Sequence, residues 1–143
     1  MQEVPSYQLG IFKKTGGQII PIEKVNDVNP DIIVDAIIGY SLSSAPQGKV
    51  LHMISIINTN DAPTISLDIP TGLLATTGEN PGEFVKPDKT ITLALPKKGL
   101  YPEKCGEIIL ADIGIPATVF NKAGINYSSP FSRTFYVNIE PVF

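Results

Sequence analysis

Asp35 stands inside a run, residues 31–38 (DIIVDAII), that is otherwise almost wholly apolar. A carboxylate in such surroundings costs several kcal/mol unless hydrogen bonds or a cation offset its lost hydration. Hydrogen bonds from neighbouring backbone amides would satisfy it, and so would a bound cation. The loop that follows is built of Gly39, Tyr40, Ser41, Leu42, Ser43, Ser44 and Ala45. Its small residues let a backbone come close to a ligand, and Pro46 suits the first turn of a helix. A helix starting there turns its amide-rich end into the same space, which is a phosphate-binding arrangement. The loop lacks the glycine spacing of a P-loop or a dinucleotide fingerprint, and ordinary capping accounts for one of its serines.

Two further segments have the same character. Asp68-Ile69-Pro70-Thr71-Gly72 joins an acid, a rigid proline, a hydroxyl and a glycine in one turn. It either aims Asp68 and Thr71 into a crevice or forms an Asx-type turn stabilised by Asp68. In Leu95-Pro96-Lys97-Lys98-Gly99-Leu100, Lys97 is either a proton carrier or anion clamp, or a solvated loop lysine. Other reactive side chains are few. His52 reads as a surface or core-edge residue, Cys105 as a passive thiol, and Asp112 as the cap of a short helix after Pro116. One cysteine and one histidine in 143 residues exclude a disulfide framework, a cysteine-based zinc site and a multi-histidine metal site.

These candidates must be carried by one domain, since 143 residues is one domain's length. With 43% hydrophobic and 17% charged residues, the chain can form a core and is not a disordered tail. Eleven basic and 14 acidic side chains give −3, with no basic run, so a nucleic-acid or anionic-lipid footprint is missing. No apolar run approaches the ~20 residues of a spanning helix, and the first residues lack a signal-peptide pattern; a soluble cytoplasmic protein is expected.

Twelve glycines and 13 prolines, spread throughout, punctuate many short elements. Residues 4–15 read as a helix ended by Gly16-Gly17, and residues 18–22 as an edge strand. Residues 31–38 read as a strand buried on both faces of a parallel sheet. A helix from Pro46 to about Ile57 presents Val50, Leu51, Ile54 and Ile57 on one face. Strands follow at residues 64–68, 89–95, 107–111 and 134–139, with a short helix at 116–121. Strand, loop, helix and strand between Asp31 and Asp68 make a βαβ unit. The expected class is α/β, with a mostly parallel sheet and ligands beyond the carboxyl ends of its strands.

In order, the segments DIIVDAIIG (31–39), LDIPTGL (67–73), TGENPG (77–82), LPKKGL (95–100) and CGEIILADIGIP (105–116) resemble the NAD(P)H-hydrate epimerase family, the YjeF N-terminal domain. The resemblance implies a three-layer Rossmann-like fold. The implied activity is interconversion of the R and S forms of hydrated NADH and NADPH, a step in nicotinamide cofactor repair. By the same resemblance, Asp35 and Thr71 match two ligands of a potassium ion, and residues 39–45 with Asp68 match the segments that hold the dinucleotide. Asp68 is the implied acid/base, and Lys97 falls on the family's lysine. The family's Asn-Asn-Gly-Gly-Asp turn does not occur here, and YQLGIFKKTGGQI (7–19) resembles the segment that follows that turn. The chain is thus expected to be a single domain, 1–143, corresponding to the C-terminal two thirds of the usual one and truncated on its N-terminal side. A truncated sheet exposes apolar surface, so a homodimer is expected. The tail VFNKAGINYSSPF (119–131) also resembles a branch that includes the enhancer-of-mRNA-decapping protein. That branch implies the alternative, a non-catalytic dimerisation and binding module.

Overall fold

The computed structural model describes residues 3–140. Met1, Gln2 and residues 141–143, part of the expected single domain, lie outside the described residues. Helix α1 (Glu3–Lys14) ends where Gly16 adopts a left-handed φ of 84°, and a 3-10 helix follows at Ile22–Asp27. Five strands come next: β1 (Ile33–Asp35), β2 (Thr64–Leu67), β3 (Lys89–Leu93), β4 (Glu107–Ala111) and β5 (Tyr136–Ile139). Helices α2 (Gly48–Asn58), α3 (Pro102–Cys105) and α4 (Ala117–Lys122) lie between them. The strands sit side by side in chain order; β1 to β4 are parallel and β5 is antiparallel to β4. The architecture is the expected α/β one.

Strand register sorts the side chains onto two unlike faces, because successive residues of a strand alternate. Asp35, Ser66, Thr90, Ile108 and Ile139 form one row across the sheet. On that face Ile54 and Ile57 of α2 pack with Val85 and Ile33. Further along, Ile69, Leu73, Leu100 and Cys105 pack on Ile108, with Ile139 against them. The other face carries Leu67, Ile91 and Ile109 in one row and Leu93, Ala111 and Tyr136 in the next, all partly or largely exposed.

Several expectations are corrected. Residues 18–21 form no strand; Pro21 precedes the 3-10 turn instead, its missing donor suiting a helix start better than a ladder. β1 has three residues rather than eight and is not buried on both faces. It is the edge of the sheet, and Ile32 and Val34 are half or more exposed. Helix α2 starts at Gly48, because Gln47 is extended (φ −136°, ψ 166°), and Leu51 faces outward rather than into the core. Asp112 caps no helix: its carboxylate accepts the Gly114 amide at 2.8 Å in a local turn, and α4 begins after Pro116 without a side-chain cap.

Candidate functional site at the carboxyl ends of the strands

Asp35 ends β1 and is completely buried. Its Oδ2 accepts the Ser66 hydroxyl at 2.8 Å and the Thr71 amide at 2.8 Å. Its Oδ1 accepts the Thr71 hydroxyl at 2.6 Å and, more distantly, the Ile37 amide at 3.4 Å. Four donors therefore face two oxygens with about four lone-pair sites, the full capacity of an ionised carboxylate. The hydrogen-bonded reading of Asp35 holds in the geometry. It needs Thr71, which the cation reading also needs, so the structure brings these two side chains together. The Thr71 hydroxyl also accepts the Ile38 amide at 3.0 Å and lies 3.2 Å from the Ile38 carbonyl oxygen. Thr71 is followed by Gly72 at φ 105°. A Cβ at that position would come within 2.6 Å of the Glu83 carbonyl oxygen, so only glycine lets the turn close.

Asp35 Oδ1, the Thr71 hydroxyl and the Ile38 carbonyl are all hard oxygen donors, the chemistry of an alkali or alkaline-earth cation. Among the described residues, no group of three or more His, Cys, Asp or Glu side chains could hold a metal. A cation here would rest on one carboxylate and neutral oxygens, which suits a single positive charge. The donor types suit such an ion, but the Asp35 oxygens already accept four hydrogen bonds, so an ion there would have to displace at least the long Ile37 contact at 3.4 Å.

Asp68 follows β2 in a left-handed conformation, φ 70°, which costs a side-chain-bearing residue of order 1 kcal/mol, least for Asp and Asn. The turn is held because the Asp68 amide donates to the Ile91 carbonyl at 2.7 Å and Asp68 Oδ1 accepts the Leu93 amide at 3.2 Å. Oδ1 also accepts from Lys97, and the two side chains are about one-fifth exposed. The remaining donors of Lys97 go to the Thr92 hydroxyl at 3.1 Å and the Leu93 carbonyl at 2.8 Å. Lys97 is therefore not a solvated loop lysine; its ammonium is a fixture of the β3 end. Asp68 Oδ2 has no protein donor among the described residues, and a Cβ on Gly39 would stand 3.9 Å from it. The free oxygen of Asp68 thus faces the start of the loop after β1.

Ser41, Leu42, Ser43, Ser44 and Ala45, with Ile38, Pro46, Gln47 and Val50, line an open depression of about 420 Å³. Gly39 and Tyr40 do not line it; Tyr40 projects outward and is largely exposed. No serine caps α2, so capping does not use up their hydroxyls; Gln47 holds the cap position without a side-chain bond. Among the described residues, neither a side-chain cap nor an acidic side chain in the first turn engages the first amides of α2.

The remaining candidates do not join this group. His52 is exposed on α2. Cys105 is buried, and burial pushes its thiol above the usual value despite hydrogen bonds that act the other way. Two participants escaped the sequence reading: Ser66, which holds Asp35, and Thr92, which holds Lys97. A signal was present, since both are hydroxyls at alternate positions of apolar strands, on the face that also carries Asp35.

The model of the family "YjeF-related protein N-terminus" matches residues 1–99. The chain is 41% identical to an NAD(P)H-hydrate epimerase of Dehalogenimonas lykanthroporepellens, over 97% of this chain and 57% of that protein. It is 38% identical to the NAD(P)H-hydrate epimerase of Truepera radiovictrix, over 70% of this chain and 47% of that protein. A bifunctional NAD(P)H-hydrate repair enzyme Nnr of Escherichia coli is 39% identical over 65% of this chain and 18% of its own length. The chain thus spans about half the length of the single-function relatives it matches. The crystal structure of yeast ynu0, YNL200c, superposes with a TM-score of 0.56 at 23% identity, over 76% of this chain and 46% of that one; it speaks for the fold alone.

Proposed function

The chain belongs to the family of YjeF-related protein N-termini, and from that premise we propose that it binds hydrated NADH or NADPH and interconverts their R and S forms. The observation that carries this reading is the unpartnered Oδ2 of Asp68, which faces the loop of residues 39–45 while Lys97 holds Oδ1 in place. Epimerisation at a hydroxyl-bearing ring carbon, by proton exchange or by transient ring opening, needs a group that takes a proton and returns it. Asp68 Oδ2 does this. Lys97 keeps the carboxylate oriented and opposes its charge, and its donors are already committed, so it acts through Asp68. The serines of the loop and the first amides of α2 bind the phosphates of the dinucleotide. Asp35, Thr71 and the Ile38 carbonyl would hold a potassium ion, whose positive charge would help to bind the phosphates. A second copy of the chain is a further partner. The setting proposed is the cytoplasm, and among the described residues no helix is long and apolar enough to cross a membrane.

Epimerisation of hydrated NADH, coupled to a dehydratase specific for the S form, tests the assignment. Asp68→Asn is expected to lower kcat by about 10²–10⁴-fold, the usual contribution of a positioned acid/base, with the fold intact. Asp35→Asn is expected to weaken potassium and dinucleotide binding instead. An Asp68→Asn chain as active as the unmodified one overturns the role of Asp68. A second reading, a non-catalytic dimerisation and binding module, is favoured by the open apolar face of the sheet. It predicts dinucleotide binding without turnover in every variant.

A further inference from the structure

Among the described residues, three that bear a side chain have a left-handed φ: Asp68 at 70°, Ala94 at 65° and Ser132 at 51°. Ser132 lies in the turn that leads into β5. The other two directly follow neighbouring strands, Asp68 after β2 and Ala94 after β3. Each is the middle of a three-residue turn: the Ile69 amide donates to the Leu67 carbonyl at 2.9 Å, and the Leu95 amide to the Leu93 carbonyl at 2.7 Å. Such a bond around a residue of positive φ makes the rare, strained form of the γ-turn. Aspartate tolerates that backbone; alanine brings a Cβ and no polar group that could bond locally. Strain of this kind persists only where the surrounding structure enforces it, and it clusters at functional sites.

Leu67 pairs with Ile91. β2 turns off the sheet with the next residue, Asp68, whereas β3 runs on through Thr92 and Leu93 before turning at Ala94. Among the described residues, this extra stretch supplies every partner that the Asp68 carboxylate and the Lys97 ammonium have outside their own contact. The Leu93 amide donates to Asp68 Oδ1 at 3.2 Å, and Lys97 donates to the Thr92 hydroxyl at 3.1 Å and the Leu93 carbonyl at 2.8 Å. The Leu93 carbonyl thus accepts twice, from the Leu95 amide across the turn and from Lys97. An extended chain would carry residue 97 roughly 13 Å beyond residue 93, whereas the turn returns it to the strand end it has just left.

We propose that Ala94 is a positioning residue of the candidate site. Its left-handed turn folds the chain back onto the end of β3, so that Lys97 is fixed on Thr92 and Leu93 and holds Asp68 by Oδ1, leaving Oδ2 to the substrate. Ala94 acts through Lys97 rather than on the substrate. Its effect on turnover rests on the epimerisation reading, whereas its hold on Lys97 belongs to the chain without substrate and is measured there. The sign of φ is what counts. Glycine reaches φ 65° without steric cost and keeps the turn, valine strongly disfavours it, and proline, fixed at about −65°, forbids it.

Two measurements on the full chain test it, with circular dichroism checking that each variant is folded. In magnetic resonance of chains labelled at the lysine side-chain nitrogens, the Lys97 ammonium is expected as a separate signal with slowed proton exchange. Ala94→Gly is expected to keep that signal and to raise the urea midpoint, because the strain is relieved. Ala94→Val and Ala94→Pro are each expected to merge it with the signals of solvated lysines. In the coupled epimerisation assay, those two variants are expected to lose about 10²-fold in kcat with KM nearly unchanged, the cost that a displaced reacting group can carry. Ala94→Gly keeps its kcat. Added to Lys97→Met, Ala94→Val is expected to lower kcat no further, since both act through one ammonium. A Lys97 signal averaged with the others in the unmodified chain overturns the proposal, and so does an Ala94→Gly chain with a lower urea midpoint; both are read even where the bulkier variants do not fold. A folded Ala94→Val or Ala94→Pro chain that keeps the signal overturns it too. An unmodified chain without turnover overturns the reaction reading and the role of Ala94 in it, and the ammonium signal then decides by itself whether the turn holds Lys97.

Discussion

Two aspartates end neighbouring strands of the same sheet and live in opposite circumstances. Asp35, after β1, has no exposed surface and four donors on its two oxygens. Asp68, after β2, is partly exposed, sits in a left-handed turn and has donors on one oxygen only. The first carboxylate has no acceptor capacity to spare and ties β1, β2 and the Thr71 turn together. The second is held firmly by one oxygen and offers the other. Burial with full satisfaction makes a charged group a structural fixture, whereas partial satisfaction at a strand end leaves it able to react.

This contrast can be broken from either side. The largest effect is expected at Asp35→Ala, which orphans two buried donors, the Ser66 hydroxyl and the Thr71 amide, and leaves the Thr71 hydroxyl only the Ile38 carbonyl at 3.2 Å. At about 1–3 kcal/mol for each orphan, the loss is about 2–6 kcal/mol, a large part of a typical domain's stability. Urea denaturation measures it; a loss below about 1 kcal/mol would mean that Asp35 is not the tie. Ser66→Ala removes one donor from the same carboxylate and should cost about 2 kcal/mol, the value of a hydrogen bond to a charged group. At the other aspartate, Asp68→Asn should change stability by less than about 1 kcal/mol, because asparagine tolerates the left-handed turn and a partly exposed ion pair contributes little. Equal destabilisation by Asp68→Asn and Asp35→Ala would erase the distinction between the two sites.

The smallest effect concerns Cys105, whose thiol is raised by burial. A raised folded-state value means that its stabilising contribution is complete below the ordinary thiol range and is lost as pH rises through the folded value. Stability should therefore decline on the alkaline side, starting at about pH 8.5, and Cys105→Ala should flatten that decline. A thiol-specific reagent at neutral pH should leave native Cys105 unmodified and label it after unfolding; rapid labelling of the folded chain would contradict the burial.

Much of this was legible in the sequence because it is local. Strands at 64–67, 89–93 and 107–111 lie where short alternating or apolar runs between turn residues indicate them, and α1 ends at its glycine pair. The carboxylate in an apolar run and the acid-proline-hydroxyl-glycine turn marked Asp35, Asp68 and Thr71 as candidates by residue type alone. The shortness of β1, the 3-10 turn in place of a strand at residues 18–22, and the outward Leu51 were not legible. Each depends on whether another part of the molecule covers that position, and residue type does not carry that information.

What the sequence by itself determined is therefore the α/β class, the order of the elements and the chemical inventory of the site. Periodicity and turn chemistry act over a few residues and are written there directly. Only the tertiary structure decided how that inventory is used. It set Ser66 and Thr71 on Asp35 across 31 and 36 residues of chain, and Lys97, held by Thr92, on Asp68. It also left one sheet face bare. These outcomes follow from strand order and register, which bring distant side chains within hydrogen-bond reach, and a register is a property of paired strands rather than of either one.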